Sequence, residues 1–328
     1  MIDPLRRHEA SRSVIRFVAA PDIQRHPAPA FLALWSREVA ERILAASQWF
    51  EIVSGREMAM AEAARHDAWQ AGDSYDLYMG RWSRRIAPLF LDWLNPAEGL
   101  DWLEVGCGTG ALSAAILARC NPGSLVSLDP SEGFLAKARA NVPDERVVFL
   151  AGDAQALSVE SASKDMVVSA LVLNFIPDKE KALAEMRRVA RGGATVGFYV
   201  WDYPGGGVEF MRAFWTAAKA LDPAAADLTE DRRFPFCTPD GLTDLAAKAG
   251  LVAIDCTRIE MPAVFRDFED YWHPFTLGAG PAPGYCMSLA PEARQRLMER
   301  LRDSLPRGED GSIPMKTRAW AVRARIPR

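Results

Sequence analysis

From residue 101 the chain alternates short, nearly continuous apolar runs with segments whose apolar residues recur at helical spacing. The runs cover 101–105, 124–129, 147–151, 165–173 and 194–201. Runs of that length without polar alternation suit strands covered on both faces, and strands separated by helices suit βαβ units, so the pattern predicts a parallel sheet. The helices between them have legible ends. The first begins near Gly110 and stops before Asn121-Pro122-Gly123, and the second follows the turn Asp129-Pro130-Ser131. Asp178 is placed to cap the helix KEKALAEMRRVA, which ends at Gly192-Gly193, and Pro239 to Gly250 makes another. A strand near 251–261 and a last one between Ile313 and Ile326 bring the expected sheet to seven strands. Residues 101–105 are then central, and the last strand is antiparallel and inserted near one edge.

Upstream the pattern changes. Residues 1–57 hold scattered prolines and one segment, FLALWSREVAERILAASQWF, with roughly helical apolar spacing, but no recognisable chemistry. Met58 and Met60 open a stretch that would make a natural start, so residues 1–57 read as an N-terminal extension, non-native or poorly ordered, and 58–328 as the working domain. Composition is that of a globular chain: 328 residues, 49% hydrophobic, 25% charged, net charge -4. The longest largely apolar stretch, Met166 to Leu173, is far short of the roughly 20 residues a bilayer span needs. No secretory signal is legible, and the chain reads as cytoplasmic. Five dispersed cysteines and four scattered histidines give neither a disulfide framework nor a zinc site, so no metal is expected. Residues 58–328 carry -5, which offers no counterion-release term for a polyanion and argues against a nucleic-acid partner. Nothing in the composition sets an oligomeric state.

The chemistry is concentrated in Leu103-Glu104-Val105-Gly106-Cys107-Gly108-Thr109-Gly110. Three glycines directly after an apolar strand let the backbone turn tightly and let a ligand approach the main chain. The glycines alone also nearly satisfy a dinucleotide fingerprint. Three acids narrow the reading. Glu104, two residues before the first glycine, can bond a cationic ammonium at the strand end. Asp129 ends the second strand, where it can grip ribose hydroxyls, and Asp153 follows the third strand, where a carboxylate can accept from an exocyclic amine. Cys107 reads as a small buried filler rather than a nucleophile.

Together these motifs resemble the class I S-adenosylmethionine-dependent methyltransferases, over about residues 75–328. The segments DPSEGFLAKARA and LNFIPDKEKALAEMRRVARGGATVGFYVWD look most like the branch of ubiquinone and menaquinone C-methylases, the type 11 methyltransferases. The resemblance implies a Rossmann-like doubly wound sheet with helical cap insertions, and S-adenosylmethionine as cofactor. It maps the family's glycine loop onto Glu104, Gly106, Cys107, Gly108, Thr109 and Gly110, its ribose acid onto Asp129 with Pro130, and its adenine site onto Asp153 and Ala154. Ser169, Ala170 and Leu171 fall near the sulfonium end of the ligand. Tyr78 and Arg84, in SYDLYMGRWSRR, lie where relatives fold a lid, with Arg81 or Arg84 available to a methionyl carboxylate.

Methyl transfer from a sulfonium is an in-line displacement, so the protein mainly has to align the partners and exclude water. A base is needed only for an acceptor that must lose a proton, and the candidates are His273, Asp202 and Tyr203, with Asp267, Glu269 and Asp270 behind them. Acceptor choice falls to two cap insertions, 203–236 and 262–311. Their Phe- and Trp-rich segments point to a small, apolar or aromatic acceptor for C- or O-methylation. The alternatives are a nicotinamide-dependent oxidoreductase on a related fold and a noncatalytic S-adenosylmethionine-binding module.

Overall fold

The computed structural model of the protein describes residues 72–328, so the reading of residues 1–57, including their helix, lies outside the described residues. Seven strands form one sheet: β1 (Asp101–Val105), β2 (Ser124–Asp129), β3 (Val147–Ala151), β4 (Lys164–Ala170), β5 (Ala190–Trp201), β6 (Val252–Phe265) and β7 (Ile313–Arg325). Their order across the sheet is β3-β2-β1-β4-β5-β7-β6. The first five pair in parallel, with Asp101 opposite Ser124 and Val105 opposite Leu128 in the β1–β2 ladder. β7 runs antiparallel to both of its neighbours, β5 and β6. The expected seven-stranded, mostly parallel sheet with an antiparallel last strand is what the chain forms.

Helices cover both faces. In chain order they are α1 (Gly72–Tyr75), α2 (Arg81–Leu94), α3 (Ala111–Arg119), α4 (Glu132–Asn141), α5 (Lys179–Val189), α6 (Glu209–Leu221), α7 (Glu230–Arg233), α8 (Pro239–Lys248), α9 (Phe268–Trp272), α10 (Pro281–Ser288) and α11 (Pro291–Ser304). Local chemistry fixes their ends. Ser131 accepts a bond from the Phe134 amide to start α4, and Asp178 accepts from Lys181 to start α5. Asn95, at φ 46°, closes α2 in the left-handed conformation. The apolar face of α2, Ile86, Phe90 and Leu91, is fully buried, and the Phe90 ring meets Tyr199 of β5 at 4.7 Å between centroids.

Three boundaries differ from the pattern. β4 stops at Ala170 rather than 173 because Leu171 turns left-handed, at φ 61°, and sends its amide to the Tyr199 carbonyl. β5 begins at Ala190, ahead of the glycines that read as a helix stop. Its pairing with β4 jumps from Lys164–Ala190 to Met166–Thr195, so 191–194 bulge out, which Gly193 at φ 81° permits. β6 continues through Phe265, so the second insertion spans 266–312 rather than 262–311.

The two insertions pack on one another above the sheet. Tyr271 of α9 is buried and donates its hydroxyl to the Phe210 carbonyl of α6 at 2.9 Å. Tyr271→Phe is expected to cost about 1 kcal/mol, seen as a lower urea midpoint at unchanged slope. Cofactor affinity should stay at its wild-type value in that variant.

Candidate active site

The carboxyl ends of β1, β2, β4 and β5 meet the insertions around a cavity of about 850 Å³, the edge of a doubly wound sheet where ligands bind. Glu104 and the glycine loop come from β1, and Asp129 from β2. Ala170 ends β4 and Leu171 and Val172 follow it, while Tyr199 and Trp201 belong to the end of β5 and Tyr203 follows it. Tyr75, Met79 and Ser83 close one side, and Met211, Glu230 and Pro281 reach in from the insertions.

The glycine loop is held by its own backbone. Gly106 and Cys107 both donate to the Leu128 carbonyl, and Gly110 donates to that of Cys107. All three glycines have positive φ, at 79°, 53° and 88° for Gly106, Gly108 and Gly110. Two of them have different tasks. A Cβ on Gly106 would lie 2.5 Å from Val172 Cγ1, so that bare Cα makes room for the turn after β4, not for a ligand. A Cβ on Gly108 would meet nothing within 4 Å, and Gly108 lines the cavity. The open backbone there is where a ligand can approach.

Asp129 braces the same loop. Its Oδ2 accepts from the Gly108 amide at 3.0 Å and its Oδ1 from the Ser131 amide at 2.9 Å. Burial raises its pKa, against the pull of those two amides. Glu104 is only 1% exposed. Ser113 and Ser127 both donate to its Oε2, the latter at 3.0 Å, and no bond to Oε1 is made among the described residues. Burial pushes this carboxyl up to about 7, with the two serine hydroxyls opposing. A cation arriving at Oε1 would restore the charged form.

A π-turn at Asp76–Gly80 joins α1 to α2 and docks on the loop. Thr109 donates its hydroxyl to Asp76 Oδ1 at 2.8 Å, and Arg84 bonds the same oxygen at 3.0 Å. Tyr75 stacks edge-on to Phe134 at 5.5 Å, beside the loop.

Residues 103–198 match the family description "Methyltransferase domain". The chain is 29% identical over 205 residues to a malonyl-[acyl-carrier protein] O-methyltransferase of Geobacter sulfurreducens, covering 62% of this chain and 70% of the relative. It is 31% identical over 157 residues to a demethylmenaquinone methyltransferase of Roseiflexus castenholzii, covering 45% and 66%. The protein is a class I S-adenosylmethionine-dependent methyltransferase. S-adenosylmethionine is its cofactor, and the oxidoreductase alternative falls away. The fold of the methyltransferase is similar to that of phosphoethanolamine N-methyltransferase 2 of Haemonchus contortus in complex with S-adenosyl-L-methionine. That likeness has a TM-score of 0.50 at 17% identity and covers 78% of this chain and 57% of that one.

Not every residue singled out from the methyltransferase sequence reaches the cavity wall. Glu104, Gly106, Cys107, Gly108, Thr109, Asp129, Ala170 and Leu171 do. Gly110 turns the chain into α3. Burial raises the pKa of the Cys107 thiol, which keeps it protonated and suits a filler. Ser169 is buried in β4 and Pro130 is exposed beyond Asp129. Asp153 is exposed and bonded to Gln155, with Ala154 buried beside it. Tyr78 is buried against Phe210 and Phe275, and Arg84 is committed to Asp76. Arg81 makes a two-point pair with Asp270, at 2.9 and 3.1 Å.

The candidate bases part company in the same way. Asp202 is 2% exposed, but it is paired with Arg318 at 2.6 Å and accepts from the Gly205 amide. Asp267 caps α9, and His273 and Glu269 are exposed. Tyr203 alone of the three leading candidates lines the cavity. Sequence reasoning passed over Glu230, a buried acid on the cavity wall within the first insertion. Its signal was faint: one acid in a run of four charged residues, EDRR, that reads as a solvated surface.

Proposed function

We propose that the cavity binds S-adenosylmethionine along the glycine loop and transfers its methyl group to a small, largely apolar or aromatic acceptor held under the insertions, by C- or O-methylation. One observation carries the reading: a single cavity is lined both by the buried acids Glu104 and Asp129 at the glycine loop and by the aromatic side chains Phe175, Tyr199, Trp201 and Tyr203. The residues suit the cofactor. Glu104 Oε1 takes the ammonium, Asp129 the ribose hydroxyls, and the open backbone at Gly108 admits the ligand without a side chain in the way. Tyr199, Trp201, Phe175 and Tyr203 offer ring faces to a cationic sulfonium and to an apolar acceptor. Bound cofactor supplies the electrophilic methyl; the protein's share is alignment and exclusion of water.

The relatives' names give two different acceptors, malonyl-[acyl-carrier protein] and demethylmenaquinone, and support methyl transfer more than either acceptor. The net charge of -5 over residues 58–328 supports a small molecule over a nucleic acid. Calorimetry of S-adenosylmethionine tests the cofactor half. Asp129→Ala is expected to weaken binding by about 10 to 100 fold, since it loses a charged acceptor and loosens the Gly108 amide. A radiolabelled panel of phenols, quinols and small acids against RNA and DNA tests the acceptor half. Robust labelling of nucleic acid with none on the small molecules would overturn it.

A further inference from the structure

Glu230 stands out among the groups the cofactor reading leaves unused. It is the first residue of α7 in the first insertion, is 4% exposed, and lines the cofactor cavity. It also lines a second cleft, and shares the wall between the two with Tyr203 and Met211. One carboxylate oxygen is spoken for: Oε2 accepts from the Trp215 indole at 2.6 Å. The other, Oε1, is sealed from solvent and has no hydrogen-bond partner among the described residues. The Tyr78 hydroxyl is in the same condition, and lies close enough for the Glu230 charge to raise it further after burial has done so. Tyr203 feels the same carboxylate.

Buried polar atoms almost always have partners, and leaving one without costs the full desolvation of the group. Of the two orphans, Glu230 is the one on the wall of the ligand cavity, and an unpartnered, acceptor-only oxygen there calls for a donor from the ligand. A hydroxyl can donate to Glu230 Oε1 and accept from the hydroxyl of Tyr203, which lines the same cavity, at once; a protonated amine has donors only. Tyr203 and Phe175 on the cavity wall, backed by Phe234 at 5.5 Å and 5.3 Å, supply an apolar flank for the body that carries the hydroxyl.

We propose that Glu230 is the proton acceptor for methyl transfer and that the methylated molecule presents a weakly acidic, phenol-type hydroxyl to its Oε1, an inference that rests on the methyl-transfer reading above. As the acceptor oxygen forms its bond to the methyl carbon, the carbon–sulfur bonding pair stays on sulfur and the hydroxyl proton passes to Glu230. The second cleft, lined by the exposed Arg212, Thr216, Lys219 and Asp231, then carries that proton to water and restores the carboxylate. Burial holds the carboxyl near 7, against the pull of its own backbone amide, the Trp215 indole and the Arg233 charge and with Asp231 adding to the rise, so it is a base matched to neutral pH.

The test needs no natural acceptor. p-Cresol and 4-methylbenzylamine are titrated calorimetrically into the wild type and Glu230→Gln, each saturated with S-adenosylhomocysteine, from pH 6 to 8. Glutamine keeps an oxygen for Trp215 but cannot take a proton, and thermal melts confirm that the variant is folded. The wild type should bind p-cresol at least about tenfold more tightly than Glu230→Gln, with affinity rising through pH 7; the variant should be weak and flat. Trp215→Phe, which removes the indole but keeps the carboxylate, should retain the pH dependence. No cresol binding to the wild type, equal binding to both proteins, or preference for the amine would overturn the inference while leaving cofactor binding intact. Failure of the wild type to bind S-adenosylmethionine would instead bring down the methyl-transfer reading and this inference with it.

Discussion

Gly108→Val should abolish measurable S-adenosylmethionine binding while the protein remains folded, whereas Gly106→Val should lose fold and binding together. The two glycines are two residues apart and both have positive φ, so backbone strain alone predicts similar damage. The space around them separates the outcomes. At Gly108 a side chain enters the open cavity, and a loss of affinity of at least about a hundredfold follows from blocking the approach to the backbone. At Gly106 the new atoms strike the Val172 side chain on the segment after β4, and relief requires moving either the glycine loop or that segment. Urea denaturation together with calorimetry checks both. A Gly108 variant that binds at wild-type affinity, or a Gly106 variant of undiminished stability, would contradict the assignment.

The second large effect is one of pH. Because burial holds the Glu104 carboxyl near 7, the empty site is largely protonated at pH 6 and largely ionised at pH 8. The ammonium of the cofactor selects the ionised form. Affinity should therefore rise about tenfold from pH 6 to 7.5 and then level, with proton release that peaks below pH 7 and shows as a buffer-dependent binding enthalpy. Glu104→Gln should flatten this profile and sit at or below the acid limit at every pH. The stability of the free protein has the opposite slope. The folded carboxyl keeps its proton above the ordinary value of 4.5 while the unfolded one loses it, so the unfolded chain binds fewer protons between 4.5 and 7. Stability thus falls as pH climbs through that window, and Glu230, also pushed by burial to about 7, adds to the fall. Melting the protein with and without cofactor across this range would separate the two trends.

How much of this could be read from the residues depends on how local the cause is. Strands β1, β2, β4 and β5 were legible because the inner strands of a covered sheet carry nearly unbroken apolar runs, β3 because its run is apolar although Val148 and Leu150 are exposed at the sheet edge, and helices α4 and α5 because Ser131 and Asp178 cap them from within one turn. The glycine loop, Glu104 and Asp129 were legible for the same reason: their chemistry is written within about 25 residues. What escaped depends on distant partners. Asp202 looked like a candidate base until folding placed Arg318 against it, 116 positions away, and Asp270 is engaged by Arg81 across 189. Helices α9 and α10 are short and rich in aromatic residues or proline, so no periodicity announced them. Glu230 belongs with these, since an acid is recognised as unsatisfied only when its surroundings are known.

The register of the last two strands bears on how the roof is attached. Phe265 at the end of β6 is paired directly with Ile313 at the start of β7. Everything between, residues 266–312, therefore leaves the sheet and rejoins it at adjacent positions, like a bag tied at the neck. The entropic cost of closing such a loop grows only with the logarithm of its length, about 0.6 kcal/mol per doubling. Segments of very different size can hang from the same pair of residues at little cost in closure, though Asp270 and Pro281 show that this one also touches α2 and the cavity wall. The ladder that ends at Phe265 and Ile313 is in effect a neck, from which the whole second insertion leaves the sheet and returns without breaking its pairing.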